Sequence, residues 1–310
     1  MSKILVTGAS GFVGSNLKYN LNQSGREWIG INSKDYDLTN YTQAEAAIRK
    51  IKPTVIIHLA ALSGGIGANR ERPYEFFYIN SLLVANVFRA AAENKVTRMI
   101  YTMGGCSYPN MSKSPISEDD MWNGFPHGDS SAYSSAKKLG IVAAQAYKML
   151  GLNSTVLVPG NLYGPHDNYS IRNSHVIPAL IHKFATAIEG ETPFVELWGD
   201  GTPVRDFVYV KDVTEVINEM VDEAEIEGPL NISSGTRISI KELAELTQKL
   251  MGYNGVIKWD VSKPNGQQEK IFDVSKLNNL GYRCDTKIEK GLKDTIEWFY
   301  DARNRGELRI

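Results

Sequence analysis

The sequence is poor in the residues and patterns that mark disulfide-rich, metal-binding or strongly charged proteins. Its 310 residues include only two cysteines, Cys106 and Cys284, which are too few for a disulfide framework and lie in unrelated contexts. No paired Cys/His spacing indicates a zinc site. The 34 basic and 35 acidic residues nearly cancel, so charge gives no reason to expect a nucleic acid or an anionic membrane as a partner. We therefore expect reduced cysteines, no bound metal, and local groups that hold any anionic ligand.

Long hydrophobic runs and targeting patterns are also lacking. No apolar run approaches the ~18 residues that cross a bilayer, and residues 1–3 lead into an apolar strand without the layout of a signal peptide. A cytoplasmic location is the expectation that follows. With 42% hydrophobic and 22% charged residues, the composition is that of a globular chain large enough for two lobes around a sizeable core.

A strand, a glycine turn and a helix open the chain in that order. The apolar run at residues 3–7 predicts a buried parallel strand, and a helical pattern extends from Ser15 to about Ser24. Glycines between them permit a tight turn and let backbone N–H groups approach a pyrophosphate at the helix N-terminus. The pattern predicts a dinucleotide site, with a turn that binds nothing as the less favoured alternative. The residues of this predicted site are Gly8, Ser10, Gly11, Phe12, Val13 and Gly14.

The end of the second predicted strand, at residues 28–31, bears on which dinucleotide is bound. Asn32, Ser33 and Lys34 follow it without an acid. An acid there would bind the ribose 2′-hydroxyl of NAD, whereas hydroxyl and ammonium groups suit the 2′-phosphate of NADP. We therefore favour NADP(H), with NAD(H) as the alternative because Asp35 or Asp37 could reach the ribose. Asp37 and Leu38 are expected beside the adenine.

The first half of the chain continues as an alternation of helices and strands. Helices are predicted at residues 42–51 and 73–94, and strands at residues 55–61 and 99–102. This alternation predicts an α/β fold, namely a doubly wound parallel (Rossmann) sheet with a smaller C-terminal α/β lobe.

The predicted sheet also suggests how the chain divides into domains. We assign residues 1–165 to an NADP-binding Rossmann domain, which the chain re-enters at about residues 205–234. Residues 166–310 would form mainly the substrate-binding domain. Ligands of such sheets lie at the carboxyl ends of the strands, so we expect the chemistry in the loop that holds Cys106 and in the loops after Ala61 and Val158.

Tyr133 and Lys137 lie four residues apart at the start of a helix predicted to extend to about Leu150. Residues with this spacing share one helix face, so the phenol and the ammonium can reach the same small space. A close ammonium stabilises a phenolate and lowers its pKa, which makes the pair a candidate proton shuttle. On its own the spacing also fits an ordinary solvated helix.

Four stretches together resemble the extended short-chain dehydrogenase/reductases that act on nucleotide sugars. They are residues 8–14, 58–61, 133–137 and 159–165. Within that family, three further stretches closely resemble the GDP-L-fucose synthase group, which epimerises and then reduces a GDP-linked 4-keto-6-deoxy sugar. These stretches are residues 64–70, 161–168 and 173–180. The resemblance extends over nearly the whole chain.

The resemblance implies roles for four catalytic residues. Tyr133 would give a proton to the sugar O4 as NADPH delivers hydride to C4, and Lys137 would lower the pKa of Tyr133 and hold the nicotinamide ribose. Cys106 and His175 would be the acid/base pair at C3 and C5, carbons acidified by the 4-keto group. From residue type alone, the simpler interpretation of Cys106 is a small buried side chain, and that of His175 a helix-end histidine.

The expected ligand contacts combine the motifs with this resemblance. Beyond the glycine turn, the cofactor residues would be Ser33, Lys34, Asp37, Leu38, Leu59, Ala60, Ala61, Thr102, Tyr133, Lys137, Asn161, Leu162 and His175. The GDP-sugar substrate would be bound by Asn161, Lys183, Trp198, Arg205 and Asn265. Arginine can grip diphosphate oxygens through its fork, and an indole can stack on a ring.

Three positions depart from the pattern of the GDP-L-fucose synthase group. Gly104 occupies the place of a serine whose hydroxyl polarises the keto group, so one donor is missing unless Thr102, Ser107 or a backbone N–H replaces it. Asn265 replaces an aspartate on the substrate side, and Ser10 replaces an arginine in the glycine turn. These departures concern the identity of the sugar more than the fold.

Alternative functions stay open beside the epimerase/reductase. One is a nucleotide-sugar 4-epimerase that recycles a tightly held NAD, and another is a C4 reductase without epimerase activity. A non-catalytic cofactor-binding subunit is less favoured, because Tyr133 and Lys137 are both present. We expect the protein to be a homodimer.

Overall fold

The computed structural model describes residues 2–170, 174–263 and 265–309; Asn173, in the last of the stretches that carry the resemblance, lies outside them. The α-helices are α1 (Phe12–Gln23), α2 (Tyr41–Ile51), α3 (Ile66–Glu71), α4 (Pro73–Glu93), α5 (Ser131–Lys148), α6 (Val176–Glu189), α7 (Val210–Glu219), α8 (Ile240–Met251), α9 (Ser275–Asn279) and α10 (Ile288–Asn304). The strands are β1 (Lys3–Thr7), β2 (Glu27–Ile31), β3 (Val55–His58), β4 (Arg98–Thr102), β5 (Asn153–Pro159), β6 (Asn161–Tyr163), β7 (Phe194–Trp198), β8 (Val204–Arg205), β9 (Phe207–Tyr209), β10 (Pro229–Ile232), β11 (Ile238–Ser239), β12 (Val256–Asp260) and β13 (Glu269–Lys270).

A six-stranded parallel sheet forms the centre of the fold, with the strand order β10-β5-β4-β3-β1-β2. Alternate residues of a strand face opposite sides of a sheet, so these apolar strands contribute to two cores. Leu5 and Met99 pack with helices α2, α4 and α5, while Ile4 and Ile100 pack with α1 and α7. The predicted α/β fold with a doubly wound parallel sheet is confirmed.

A third core lies among helices α6, α8 and α10. It contains Phe184, Leu243, Leu292 and Phe299, all buried, together with Leu197 from the parallel pair β7 and β12. The chain returns to the central sheet with β10, which pairs with β5. The division into domains at residue 165 stays a prediction.

The observed boundaries differ from the predicted ones at two places that matter for the site. Helix α1 begins at Phe12, three residues before the predicted start, because the preceding Gly11 is extended (φ −76°, ψ −178°) and occupies the N-cap position. Strand β3 ends at His58, so residues 59–61 form the loop that follows it. None of the helices in the described part of the chain is long and apolar enough to span a bilayer.

Candidate active site

The glycine turn between β1 and α1 is packed so closely that side chains are excluded. Gly8 has a φ of +70°, and a Cβ there would lie 2.9 Å from Cα of Ala60. A Cβ on Gly14 would lie 2.5 Å from the carbonyl oxygen of Gly8, and the Gly11 N–H donates to that same oxygen at 2.9 Å.

Helix α1 begins directly after this turn with no side chain capping its first N–H groups and no acid in its first turn. Free backbone donors and the positive end of the helix dipole favour an anion at such a place. The residues present therefore fit the diphosphate of a dinucleotide.

The two aspartates that follow β2, Asp35 and Asp37, accept hydrogen bonds from residues of their own turns. The Asp35 carboxylate accepts a hydrogen bond from the N–H of Asn32 at 2.9 Å. Asp37 accepts from the N–H and the hydroxyl of Thr39 at 2.9 and 2.6 Å. The side chains of Ser33 and Lys34 are exposed beside them, so the structure leaves a hydroxyl and an ammonium available at the end of this strand.

The side chains of Cys106 and Tyr133 both approach Gly104, which follows the carboxyl end of β4. A Cβ on Gly104 would lie 3.3 Å from Cys106 Sγ and 3.7 Å from Tyr133 Oη, so both atoms lie within 4 Å of one point. The loop that carries Cys106 is tied to helix α5, because Ser134 Oγ donates to the Cys106 carbonyl at 3.0 Å. The structure thus brings together the predicted thiol and phenol.

The protonation of the Tyr133 and Lys137 pair differs from what the sequence predicted. Burial raises the pKa of Tyr133, and the neighbouring Cys106 raises it further. Burial also lowers the pKa of Lys137 to about 7, against a smaller opposing effect of Cys106. Desolvation of the phenolate therefore opposes the lowering of the Tyr133 pKa that Lys137 is expected to cause, and the role of the pair stays a prediction.

Lys270 is a site residue that the sequence analysis missed. It pairs with Arg205 across the parallel strands β13 and β8. Burial lowers the pKa of both side chains, while Cys106 raises that of Lys270. Lys270 Nζ lies 5.9 Å from the centroid of the Phe272 ring, which packs against Gly105 beside Cys106. A single lysine in a two-residue strand gives no local signal, and only the pairing of distant segments reveals its position.

The predicted substrate residues form one group around the end of β7. Lys183 Nζ donates to the Glu196 carbonyl on β7 at 2.8 Å, and Trp198, the last residue of that strand, is 65% exposed. Asn265 Oδ1 accepts from the N–H of Asp200 at 2.9 Å.

Arg205 joins this group to the Cys106 region. Its Nη2 lies 3.7 Å from the position of a Cβ on Gly266, which follows Asn265. Its strand neighbour is Lys270, whose pKa Cys106 raises against the larger effect of burial. Arg205 thus links the turn of Asn265 to the strand of Lys270. Asn161 lies nearby on β6, where its Nδ2 donates to the Asp206 carbonyl at 2.8 Å.

His175 is exposed at the residue before helix α6. Burial raises the pKa of Asp167 to about 6, against a smaller opposing effect of the His175 imidazole. The Asp167 side chain is only 3% exposed, and its Oδ2 has no hydrogen-bond partner among the described residues. The pairing of His175 with Cys106 stays a prediction.

Comparison with known proteins identifies the family. The sequence model of the NAD dependent epimerase/dehydratase family matches residues 4–233. The chain belongs to this family. GDP-L-fucose synthase of Escherichia coli (strain K12) is 32% identical over 98% of this epimerase/dehydratase chain and 98% of its own length. The resemblance to extended short-chain dehydrogenase/reductases of the GDP-L-fucose synthase group is therefore confirmed.

Solved structures of family members share the fold over the whole chain. A GDP-L-fucose synthetase from Naegleria fowleri bound to NADP matches with a TM-score of 0.92 and 26% identity, covering 100% of this chain and 96% of its own. A GDP-6-OMe-4-keto-L-xylo-heptose reductase from C. jejuni matches with a TM-score of 0.90 and 25% identity, covering 98% of each chain.

Replacing Asp167 by asparagine should stabilise this family member in a pH-dependent way. The carboxyl has a pKa of about 6 in the folded state and about 3.9 in an unfolded chain. Ionisation therefore costs stability as the pH rises from 4 to 6, and the cost is constant above that. Denaturant unfolding should show that Asp167→Asn gains about 2 to 3 kcal/mol at pH 7.5 and less than about 1 kcal/mol at pH 4.

Asp129→Asn is the matched control for this prediction. The Arg70 guanidinium, 2.7 Å from the Asp129 carboxylate, lowers the pKa of that carboxyl. Its ionised form therefore favours folding above its unfolded pKa, and Asp129→Asn should lower stability at neutral pH. An Asp167→Asn variant that is destabilised at pH 7.5 would show instead that His175 compensates the buried charge.

Proposed function

We propose that this epimerase/dehydratase-family protein reduces the C4 ketone of a GDP-4-keto-6-deoxy sugar with NADPH, after epimerisation at C3 and C5. The observation that carries the proposal is the placement of Cys106 Sγ and Tyr133 Oη within 4 Å of one point. A general acid and a candidate base thus face the same small volume. The names of the E. coli and C. jejuni relatives support the substrate class.

Tyr133 is suited to be the proton donor of the reduction. Burial and Cys106 raise its pKa, so the phenol carries its proton at neutral pH and can pass it to a sugar oxygen that gains negative charge. NADPH would supply the hydride at C4. Lys137, with a pKa near 7, can be charged and stabilise the phenolate that remains.

Cys106 is the proposed base at C3 and C5. Those protons are acidified by the adjacent ketone, so a side chain that accepts and returns protons can exchange them. Cys106 raises the pKa of both Lys137 and Lys270 against the larger effect of burial. His175 is the proposed partner that returns a proton to the opposite face of the sugar.

The substrate nucleotide is proposed to lie along the surface from Trp198 to Arg205. The exposed indole can stack on the guanine, and Asn265 holds the turn beside it. Lys183, Arg205 and Lys270 provide positive charge for the diphosphate.

NADP(H) is the proposed cofactor. Asp35 and Asp37 already accept hydrogen bonds in their own turns, which leaves Ser33 and Lys34 for a 2′-phosphate. The N. fowleri relative was solved bound to NADP. A cytoplasmic location stays a prediction from the sequence.

The reductase activity is tested by mixing the protein with NADPH and GDP-4-keto-6-deoxy-mannose. We expect the absorbance of the reduced nicotinamide to fall, and Tyr133→Phe to lower kcat by about 10²- to 10⁴-fold because the general acid is lost. Tyr147→Phe, on the same helix, is the control and should retain the wild-type rate.

Two other outcomes would point to other functions. Nucleotide that stays bound through purification, with no net redox change on adding GDP- or UDP-sugars, would indicate a 4-epimerase. NADPH binding without turnover of any keto-sugar would indicate a non-catalytic subunit.

Epimerisation is tested by running the reaction in heavy water. If C3 and C5 are deprotonated during turnover, deuterium should appear at both carbons of the product. Cys106→Ser and His175→Gln should each reduce this uptake by at least about 10²-fold, whereas Cys284→Ala, which removes the other thiol, should leave it unchanged. Reduction without deuterium in the wild-type product would show a plain C4 reductase.

A homodimer is proposed from the outer faces of helices α4 and α5. Tyr74, Phe77 and Tyr78 of α4 are exposed, and so are Leu139 and Val142 of α5 and Met149, which follows that helix. An apolar surface of this kind on two adjacent helices is typical of a protein interface.

The oligomeric state can be measured by sedimentation. The wild-type protein should sediment with twice the mass of one chain. Phe77→Asp combined with Val142→Asp should give monomers, because charges on the apolar face oppose its burial. Tyr19→Asp, which changes an exposed tyrosine on helix α1, should remain dimeric, and a monomeric wild type would contradict the proposal.

A further inference from the structure

Tyr101 of β4 is a fully buried aromatic residue directly beneath the proposed active site. It is aligned with His58 in the parallel pairing of β4 and β3, so the two side chains project from the same face of the sheet. Their rings stack with centroids 5.6 Å apart and an angle of 30° between their planes. Phe88 packs edge-on against the same tyrosine at 5.6 Å. The Tyr101 ring is therefore fixed by neighbours on two sides.

Two contacts tie Lys137 to this one ring. The Lys137 ammonium nitrogen lies 4.4 Å from the Tyr101 ring centroid, within the range of a cation–π interaction. The Tyr101 hydroxyl donates to the carbonyl oxygen of Lys137 at 3.1 Å. The same tyrosine thus holds both the backbone and the charged end of the lysine.

Helix α5 is shaped to allow this contact. Gly140 lies one turn after Lys137, and a Cβ there would be 2.0 Å from Tyr101 Cε1. Glycine inside a helix costs about 1 kcal/mol relative to alanine, so its presence here marks a close approach that no side chain permits. Because Gly140 has no side chain, the Tyr101 ring can pack against helix α5 next to Lys137.

The charged and titratable groups that face Lys137 include no carboxylate among the described residues. They are Cys106 from the loop after β4, Tyr133 one turn earlier on α5, and His58 from β3. Burial, aided by the charge of Lys137, lowers the pKa of His58 to about 3, and its Nδ1 shares a hydrogen bond of 2.7 Å with Thr7 Oγ1. His58 is thus neutral, and the groups that favour the ammonium charge are the ring of Tyr101 and Cys106.

We propose that Tyr101 is the positioning residue of the proton-transfer site, and that the face of its ring stabilises the charged form of Lys137 one helical turn from Tyr133. This inference rests on the proposed role of Lys137 in the reduction. A carboxylate in the same place would occupy the N–H donors of the ammonium. An aromatic face attracts the charge but accepts no conventional hydrogen bond, so all three donors stay free for ribose hydroxyls and the phenol.

The proposal is tested by the acidity of Lys137 in three variants. Tyr101→Phe keeps the ring and removes only the hydroxyl, whereas Tyr101→Leu removes the ring face. Phe88→Leu is the packing control, since it loosens the same aromatic cluster without removing the ring beneath Lys137. Competitive acetylation with isotopically labelled anhydride across a pH series, quantified on the peptide that contains Lys137, measures the acidity without any enzymatic assay.

The expected result separates electrostatic support from packing. The labelling midpoint of Tyr101→Leu should fall about one pH unit below that of the wild type, because the charged form loses the ring. Tyr101→Phe and Phe88→Leu should keep the wild-type midpoint, although Phe88→Leu melts at a lower temperature. An unchanged or raised midpoint in Tyr101→Leu would overturn the proposal.

Kinetics provide the second readout. If the reductase activity is as proposed, the high-pH limb of kcat in Tyr101→Leu should move to lower pH by the same amount, and Tyr101→Phe should follow the wild type. If no reductase activity is found, the proposed function fails, while the labelling result still decides whether the ring holds the ammonium. A kcat profile that does not move despite a lowered midpoint would show that Lys137 does not serve the reaction.

Discussion

The packing of helix α5 against strand β4 is the contact on which the rest of the site depends. Helix α5 carries Tyr133, Lys137 and Gly140, and β4 leads directly into the loop of Gly104 and Cys106. Because Gly140 has no side chain, the helix approaches the sheet closely enough for Tyr101 to reach the Lys137 carbonyl. A small outward shift of the helix would separate the phenol from the thiol and the lysine from its ring.

The close approach of helix α5 to the sheet buries Tyr133 and Lys137, and this burial determines their protonation states. The phenol of Tyr133 keeps its proton because its anion is desolvated, and the amine of Lys137 titrates near neutral pH for the corresponding reason. A neighbouring ammonium usually makes a tyrosine more acidic, but here the ammonium lies over Tyr101. The result favours a proton donor, which is the role that a reduction requires.

Sequence patterns predicted the elements that are determined by residues close to one another in the chain. The apolar runs of β1 and β3, the glycine turn and the four-residue spacing of Tyr133 and Lys137 are all visible in short windows of sequence. The start of α1 at Phe12 was missed because Gly11 serves as an N-cap through its backbone alone. Lys270 was missed because its position depends on pairing between β13 and β8. The raised pKa of Tyr133 was missed because burial is a property of the assembled fold.

Close packing explains why residue 105 is glycine, but it does not explain the glycine at residue 104 in the same way. A Cβ on Gly105 would lie 2.4 Å from the Phe272 ring, whereas a Cβ on Gly104, which is extended (φ −137°, ψ 143°), would lie 3.3 Å from Cys106 Sγ, a tight contact that a small movement of the thiol relieves. The hydroxyls that could replace the absent serine are turned elsewhere: Thr102 Oγ1 donates to the His58 carbonyl and Ser107 Oγ to that of Ser134. With these hydroxyls engaged, the candidate donors to a substrate oxygen that gains charge are Tyr133 and a backbone N–H of the glycine pair, and the geometry imposed by Gly140 and Tyr101 fixes the helix that carries the first of them.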